Sequence, residues 1–147
     1  MSKKITLSII VNKNRKEVYE FLKKLNTFPL FVKNINKIDV LDRFPNRIIT
    51  AWEANIDGAI VIWKEEDVFN DFNTCIEFSM IKGDFKDYKG KWVITDYKKG
   101  AKIDLSVEFD WGIPAFEIII GDILARKAKV YLKGMLKAIK NKLGATK

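Results

Sequence analysis

The chain begins with a stretch in which hydrophobic and polar residues alternate. Its apolar side chains fall at every second position: Ile5, Leu7, Ile9 and Val11. This period of two predicts a β-strand with one buried face. Similar strand patterns return in six later stretches that are separated by turn-forming residues: Ile35–Arg43, Arg47–Ile56, Ala59–Phe69, Cys75–Lys82, Tyr88–Tyr97 and Lys102–Trp111. Their spacing predicts a meander of antiparallel hairpins.

Two short helices are predicted between the first strand and the meander. Asn14 is a suitable N-cap, and Glu17 stands three residues later, as in a capping box. Helical spacing of apolar residues then continues to about Leu25. The aromatic segment that follows predicts a second short helix, capped by Asn26 or Thr27, over one end of the core.

The Asp57-Gly58 pair is the most informative turn. A two-residue Asp-Gly loop favours a type I′ hairpin, which fixes the register of its two strands. That register places four pairs on one face: Ala54 opposite Val61, Trp52 opposite Trp63, Thr50 opposite Glu65, and Ile48 opposite Asp67. The other face carries more charge near its middle, so the face with the tryptophans is predicted to point inward. Glu65 and Asp67 would then be buried.

The last predicted strand has a clear division between its two faces. Five apolar residues are predicted to face inward: Ile103, Leu105, Val107, Phe109 and Trp111. Five polar residues are predicted to face water: Lys102, Asp104, Ser106, Glu108 and Asp110. The sheet therefore has one dry face.

A long helix is predicted from Pro114 to about Leu143, with Pro114 in the first turn and Gly144 as the C-terminal stop. Its apolar stripe contains Ile120, Leu124, Ala128, Tyr131, Met135, Ala138 and Ile139. Basic residues lie on the opposite side: Arg126, Lys129, Lys133, Lys137 and Lys140. The helix is thus expected to cover the dry face of the sheet.

These elements predict one α+β domain that spans residues 1–147. A helix about 10 Å in diameter is much narrower than a seven-stranded sheet, so the sheet must curl around it. Side chains alone do not readily fill the space between such layers. Cavities of this kind are common ligand sites.

The net positive charge of the chain is concentrated at its C-terminal end. All 19 acidic residues and 19 of the 27 basic residues precede position 123, so the net charge of +8 falls on the last 25 residues. Such an asymmetry indicates either an anionic partner, nucleic acid or a membrane surface, or a solvated helix face whose cations favour the helix dipole. The modest density of charge favours the second interpretation.

Several classes of chemistry are disfavoured by the composition. The chain has no histidine and a single cysteine, Cys75, so a metal site, a disulfide and a histidine-based catalytic triad are not expected. Cys75 is predicted to be an ordinary strand residue. No cofactor is predicted. No apolar run is long enough to cross a bilayer and no secretory signal is recognisable, so a cytoplasmic location is expected.

Several stretches resemble a known family. They are Glu17–Leu22 with Phe28-Pro29, Trp63–Asp67, Gly83–Phe85 leading to Gly90–Trp92, and Phe109–Pro114. Together with the element order, they resemble the START-like (SRPBCC) superfamily, in its polyketide cyclase/dehydrase and coenzyme Q-binding branch. The resemblance covers nearly the whole chain and implies the helix-grip fold of the birch-pollen-allergen-like proteins.

The resemblance implies a class of function without selecting a ligand. Members bind lipids, quinones, hormones or polyketides, some catalyse cyclisation, and one branch is a ribosome-association toxin. The first hypothesis is a non-enzymatic binder or carrier of a small hydrophobic molecule. The alternatives are a cyclase or dehydratase, and a ribosome- or membrane-associating protein that uses Arg126, Lys129, Lys133 and Lys137. Sequence-specific DNA binding is not expected.

The predicted cavity defines the candidate ligand-binding residues: Trp52, Trp63, Glu65, Phe78, Trp92, Phe109, Ile120, Leu124, Tyr131 and Met135. Glu65 is the best polar candidate, because a carboxyl in an apolar cavity has a raised pKa and can act as an acid, a base or an anchor. Tyr131 could offer its hydroxyl to a ligand carbonyl. The alternatives are that Glu65 only pairs with a hydroxyl or lysine, and that Tyr131 and each tryptophan are core residues.

Overall fold

The computed structural model describes residues 3–112 and 117–145, with the side chains of 117–122, 124 and 145 excepted. The elements are, in chain order, β1 (Lys3–Val11), α1 (Arg15–Lys23), a 3₁₀ helix (Leu25–Leu30), β2 (Ile35–Phe44), β3 (Arg47–Ile56), β4 (Ala59–Asn70), β5 (Cys75–Gly83), β6 (Asp87–Tyr97), β7 (Gly100–Asp110) and α2 (Glu117–Ala145). All seven predicted strands are present. No helix among the described residues combines the length and apolar composition needed to span a membrane.

One antiparallel sheet contains all seven strands, in the order β1-β7-β6-β5-β4-β3-β2. Helix α2 contacts both β1 and β3, which lie five strands apart, or about 24 Å in a flat sheet. A single helix about 10 Å wide can touch both only if the sheet curls around it. The helix-grip fold predicted from the sequence is therefore confirmed.

The hairpin register predicted from Asp57-Gly58 is also confirmed. Both turn residues have positive φ, 53° and 91°, as a type I′ turn requires. All the predicted partners of β3 and β4 pair as expected, from Ile56 with Ala59 to Ile48 with Asp67. The eight side chains of the predicted inner face are buried: Ile48, Thr50, Trp52, Ala54, Val61, Trp63, Glu65 and Asp67.

The first helix begins as predicted. The side chain of Asn14 accepts a hydrogen bond from the backbone N–H of Glu17 at 2.8 Å, and Val18 and Leu22 are fully buried beneath α1. The predicted caps of the second helix are wrong. It is a 3₁₀ helix that starts at Leu25 without a side-chain cap, because Thr27 lies inside it and donates its hydroxyl backwards to the carbonyl of Lys24.

Three details of the chain's last third differ from the predictions. β7 ends at Asp110, so Trp111 lies beyond the strand, half-buried. Asp110 is buried at 9% exposure rather than facing water, because its carboxylate turns back to accept the N–H of Gly112. Gly144 lies within α2, which continues to Ala145. The predicted helix start at Pro114 falls outside the described residues.

Candidate ligand-binding cavity

The concave face of the sheet and α2 form a partly open cavity with a volume of about 90 Å³. The residues that line it come from β2 to β7, the loops beside them, and one face of α2: Asn34, Ile35, Trp52, Ala54, Ile56, Val61, Trp63, Glu65, Phe78, Phe85, Tyr88, Trp92, Leu105, Val107, Phe109, Trp111, Ala128, Tyr131, Leu132 and Met135. The volume is enough for several water molecules. It is smaller than the ~300–1,000 Å³ of sites for drug-sized molecules.

Eight of the ten predicted site residues line this cavity: Trp52, Trp63, Glu65, Phe78, Trp92, Phe109, Tyr131 and Met135. The sheet residues come together because the strand period puts every second side chain on the concave face. Tyr131 and Met135 follow from the helical stripe of α2. The side chains of Ile120 and Leu124 lie outside those that the structure describes.

The aromatic wall is built from contacting rings. Trp52 and Trp63, predicted as facing partners, stack with ring centroids 5.4 Å apart and planes inclined by 17°. Tyr88 extends this wall, with its ring centroid 5.3 Å from that of Trp63 and 5.0 Å from that of Phe85. Trp111 forms the end of this wall, with its ring centroid 4.8 Å from that of Phe85. The wall is therefore continuous from β3 to the end of β7.

Twelve of the twenty described lining residues were not among the predicted ligand contacts, and three of these twelve are aromatic: Phe85, Tyr88 and Trp111. Tyr88 lies four positions before Trp92 in one strand, so the period of two could have identified it. Phe85 lies in a loop that no periodicity describes. Asp84 fixes this loop, since its backbone N–H donates to the carbonyl of Ile62 and its carboxylate accepts the N–H of the same residue.

Two buried carboxyls stand side by side at the cavity wall. Glu65 and Asp67 are 3% and 1% exposed, and both point to the concave face from β4. The indole N–H of Trp63 donates to Glu65 Oε1 at 2.7 Å. The hydroxyl of Thr50 donates to Asp67 Oδ2 at 2.6 Å and accepts the indole N–H of Trp52 at 2.8 Å. A tryptophan therefore supports each carboxyl, directly or through Thr50.

Burial changes the titration of both carboxyls. Asp67 Oδ1 is buried without a hydrogen-bond partner among the described residues. Burial raises the pKa of Glu65 well above its ordinary value, and the charge of Asp67 raises it further. Burial also raises the pKa of Asp67, against the hydrogen bonds from Glu65 and Thr50 that lower it. Burial therefore raises the pKa of both carboxyls, that of Glu65 more strongly, and disfavours two negative charges on the pair.

The hydroxyl of Tyr131 is hydrogen-bonded to the β3–β4 hairpin. Its hydroxyl donates to Asp57 Oδ1 at 2.6 Å and accepts the backbone N–H of Asp57 at 2.9 Å. Lys127 pairs with the other carboxylate oxygen of Asp57. We call these three side chains the latch. Because the hydroxyl is engaged on both sides, Tyr131 joins α2 to the β3–β4 hairpin at the edge of the cavity and presents only its ring to the interior.

The other predicted surface and side-chain features are placed as follows. Cys75 begins β5 half-buried, and desolvation raises the pKa of its thiol, which makes it a poor nucleophile at neutral pH. The four predicted partner residues on α2 are exposed: Arg126, Lys129, Lys133 and Lys137. Nothing in the described contacts of these four, or in the fold, assigns them a membrane or a ribosome as partner.

A curled antiparallel sheet that encloses an apolar cavity against a long C-terminal helix defines the START-like class of ligand-binding folds. The chain belongs to the polyketide cyclase / dehydrase and lipid transport family, whose model matches residues 11–135. This confirms the family resemblance seen in the sequence. No curated protein matches the chain.

Solved structures show the same fold at low sequence identity. TTHA0849 from Thermus thermophilus superposes with a TM-score of 0.93 at 23% identity, over 99% of this chain and 100% of that one. The Zhui aromatase/cyclase from Streptomyces sp. R1128 gives a TM-score of 0.80 at 12% identity, over 99% and 98%. A START superfamily protein from Mycobacterium smegmatis gives 0.81 at 13% identity, over 95% of each chain.

Proposed function

We propose that this protein binds a small hydrophobic molecule in the cavity between sheet and helix, and acts as a binder or carrier. The single observation that carries the proposal is a partly open cavity whose described wall is formed mainly by aromatic and aliphatic side chains. Burial of apolar ligand surface supplies affinity at about 25 cal/mol per Å². The few polar groups, chiefly Glu65, Tyr88 and Asn34, orient the ligand.

The volume of the cavity limits the size of a ligand that fits without rearrangement. About 90 Å³ accommodates a molecule near the size of a single ring. A lipid, quinone or polyketide needs more room, so it either extends through the open side of the cavity or binds after α2 and the β3–β4 hairpin separate. The latch of Asp57, Lys127 and Tyr131 is the set of contacts that such an opening breaks.

Two measurements test the proposal. Native mass spectrometry of the protein after gentle isolation from its source cells is expected to show a bound apolar molecule. Isothermal titration calorimetry with toluene, a neutral ring of suitable size, is expected to show saturable binding to one site. Ligand-free protein in repeated preparations, together with no saturable heat from toluene, would contradict the proposal.

A cyclase or dehydratase is the second candidate, and Glu65 favours it. A protonated carboxyl that contacts an apolar cavity can donate a proton to a carbonyl or hydroxyl of a bound polyketone. Tyr131 is not a suitable partner, because its hydroxyl is engaged by Asp57. Loss of turnover in Glu65→Gln, with unchanged folding, would support this candidate. Absence of turnover with a range of polyketones in the unmodified protein would count against it.

A further inference from the structure

The charge balance of the cavity restricts the chemistry of its ligand. Among the described lining residues, none is a lysine or an arginine. Glu65 at the wall and Asp67 beside it, the acid pair, are both buried, and the hydrogen bonds to these two carboxyls come from neutral groups. Buried charges in proteins are normally paired with an opposite charge or a metal ion. Here no such partner lies among the described residues.

The wall next to this charge suits a cation. Nine of the described lining residues are aromatic, and aromatic rings attract ammonium groups by about 0.5–2 kcal/mol, more strongly when water is excluded. An anionic ligand would instead meet a like charge in a medium where repulsion is poorly screened. The aromatic rings and the carboxyls without a basic partner among the described residues therefore both favour a cationic ligand over an anionic one.

We propose that the cavity selects ligands that carry a positive charge on an apolar body, such as a hydrophobic amine or a quaternary ammonium compound, with the cation next to Glu65. This inference rests on the proposed binding function and specifies its ligand class. The cation supplies the counter-charge that the two carboxyls lack among the described residues, and the ring or chain of the ligand contacts the tryptophans. Anionic lipids are excluded from the same site.

One observation favours a different ligand. The indole Nε1 of Trp111 is buried without a partner among the described residues, and it is a donor that would suit a ligand oxygen. A neutral alcohol or ketone would use this donor and the Tyr88 hydroxyl. The experiment must therefore compare a cation with a neutral hydrogen-bonding ligand of the same shape.

Four probes that share one ring make the comparison: benzylamine, benzyl alcohol, benzoate and toluene, each titrated calorimetrically at pH 7.5. We expect benzylamine to bind about tenfold or more tightly than benzyl alcohol, from a charge-assisted contact and the aromatic wall. Benzoate is expected not to bind. Equal or tighter binding of benzyl alcohol would overturn the inference while leaving the proposed function intact. If none of the four binds, both fail.

Variants locate the source of the preference. Glu65→Gln with Asp67→Asn removes both ionisable groups and keeps hydrogen-bonding groups in their place, so we expect the ratio of benzylamine affinity to toluene affinity to fall at least about tenfold. Glu66→Gln is the matched control, because Glu66 lies between them on the strand and pairs with Arg47 on the other face. A preference that survives in the double variant, with its thermal unfolding still cooperative, would contradict the assignment to the acid pair.

Discussion

At the residue scale, the central feature is a pair of carboxyls that the fold buries without a basic partner among the described residues. Replacing one buried polar partner usually leaves the other unsatisfied at a cost of about 1–3 kcal/mol. Thr50 and the indole of Trp63 each donate to one oxygen of a carboxyl, and the indole of Trp52 supports Thr50. The raised pKa of both carboxyls lowers the cost of burying them, because the uncharged form is favoured.

The raised pKa of Glu65 predicts a specific dependence of stability on pH. In the unfolded chain Glu65 ionises near its ordinary value, whereas in the folded protein it holds its proton to higher pH. Its contribution to stability is therefore complete below the unfolded pKa. It is lost as pH rises through the folded pKa, by up to about 1.4 kcal/mol per pH unit.

Glu65→Gln is the test of this dependence. Glutamine can still accept from the Trp63 indole and donate to Asp67, but it does not ionise. Its stability relative to the unmodified protein is expected to increase between pH 5 and pH 8, measured by urea unfolding at each pH. Glu66→Gln, on the other face of β4, should show no such trend. A constant difference between Glu65→Gln and the unmodified protein would show that Glu65 does not hold its proton.

The burial of Glu65 and Asp67 was predictable from sequence because a turn fixed their register. Asp57-Gly58 admits one favoured hairpin geometry, and a period of two then decides which face each residue occupies. The contact between Tyr131 and Asp57 was not predictable in this way. It joins residues 74 positions apart, and no local pattern encodes how far along the hairpin a distant helix lies.

At the scale of elements, the latch is the main connection between the polar edge of α2 and the β3–β4 hairpin. It consists of two hydrogen bonds between Tyr131 and Asp57, and the ion pair of Asp57 with Lys127. These groups are about half-exposed, so the contribution of the ion pair to stability is small. Their position at the cavity edge makes their effect on ligand entry larger than their effect on stability.

Tyr131→Phe tests this role. The ring remains against the cavity while both hydrogen bonds to Asp57 are lost, so the two elements should separate more often. We expect toluene to enter and leave several-fold faster, with an equilibrium affinity that changes less than threefold, measured by NMR exchange. The free energy of unfolding should fall by no more than about 1 kcal/mol in this variant. Lys129→Ala, on the exposed side of α2, is the control, and equal rates in the two variants would contradict the latch.

Strands were predicted more accurately than the segments between them. The predicted boundaries of β3 agree with the structure, because alternation runs along the strand and turn residues stop it. The bulge at the β4–β5 pairing, where Lys64 pairs with Lys82 and Glu65 with Met80, has no signal in the alternation. Bulges depend on how two strands twist against each other, which the pattern of one strand does not report.

At the scale of the whole molecule, the fold follows from a difference in width, because one helix is much narrower than a sheet of seven strands. The sheet curls until α2 contacts β1 and β3, and the remaining space becomes the cavity. Hydrophobic patterning predicts that such a space exists. It does not predict its volume, because Phe85 and Trp111 reduce it from loop and strand-end positions whose side-chain directions depend on tertiary packing.

The size and chemistry of the cavity lead to one account of the molecule. Its wall is apolar and largely aromatic, Glu65 brings the acid pair to that wall, and the latch closes the edge. The exposed basic residues of α2, Arg126, Lys129, Lys133 and Lys137, do not line the cavity, whereas Lys127 belongs to the latch at its edge. The fold therefore separates an apolar interior from a cationic exterior.

The most direct test of the account is to fill the cavity and measure binding of toluene by calorimetry. Ala54 is buried on β3 and lines the cavity, so Ala54→Leu should lower the affinity at least about tenfold by occupying ligand space. Ala51→Leu, on the other face of the same strand, is the matched control and should leave the affinity unchanged. Equal affinities in the two variants, both folded by circular dichroism, would contradict binding in this cavity.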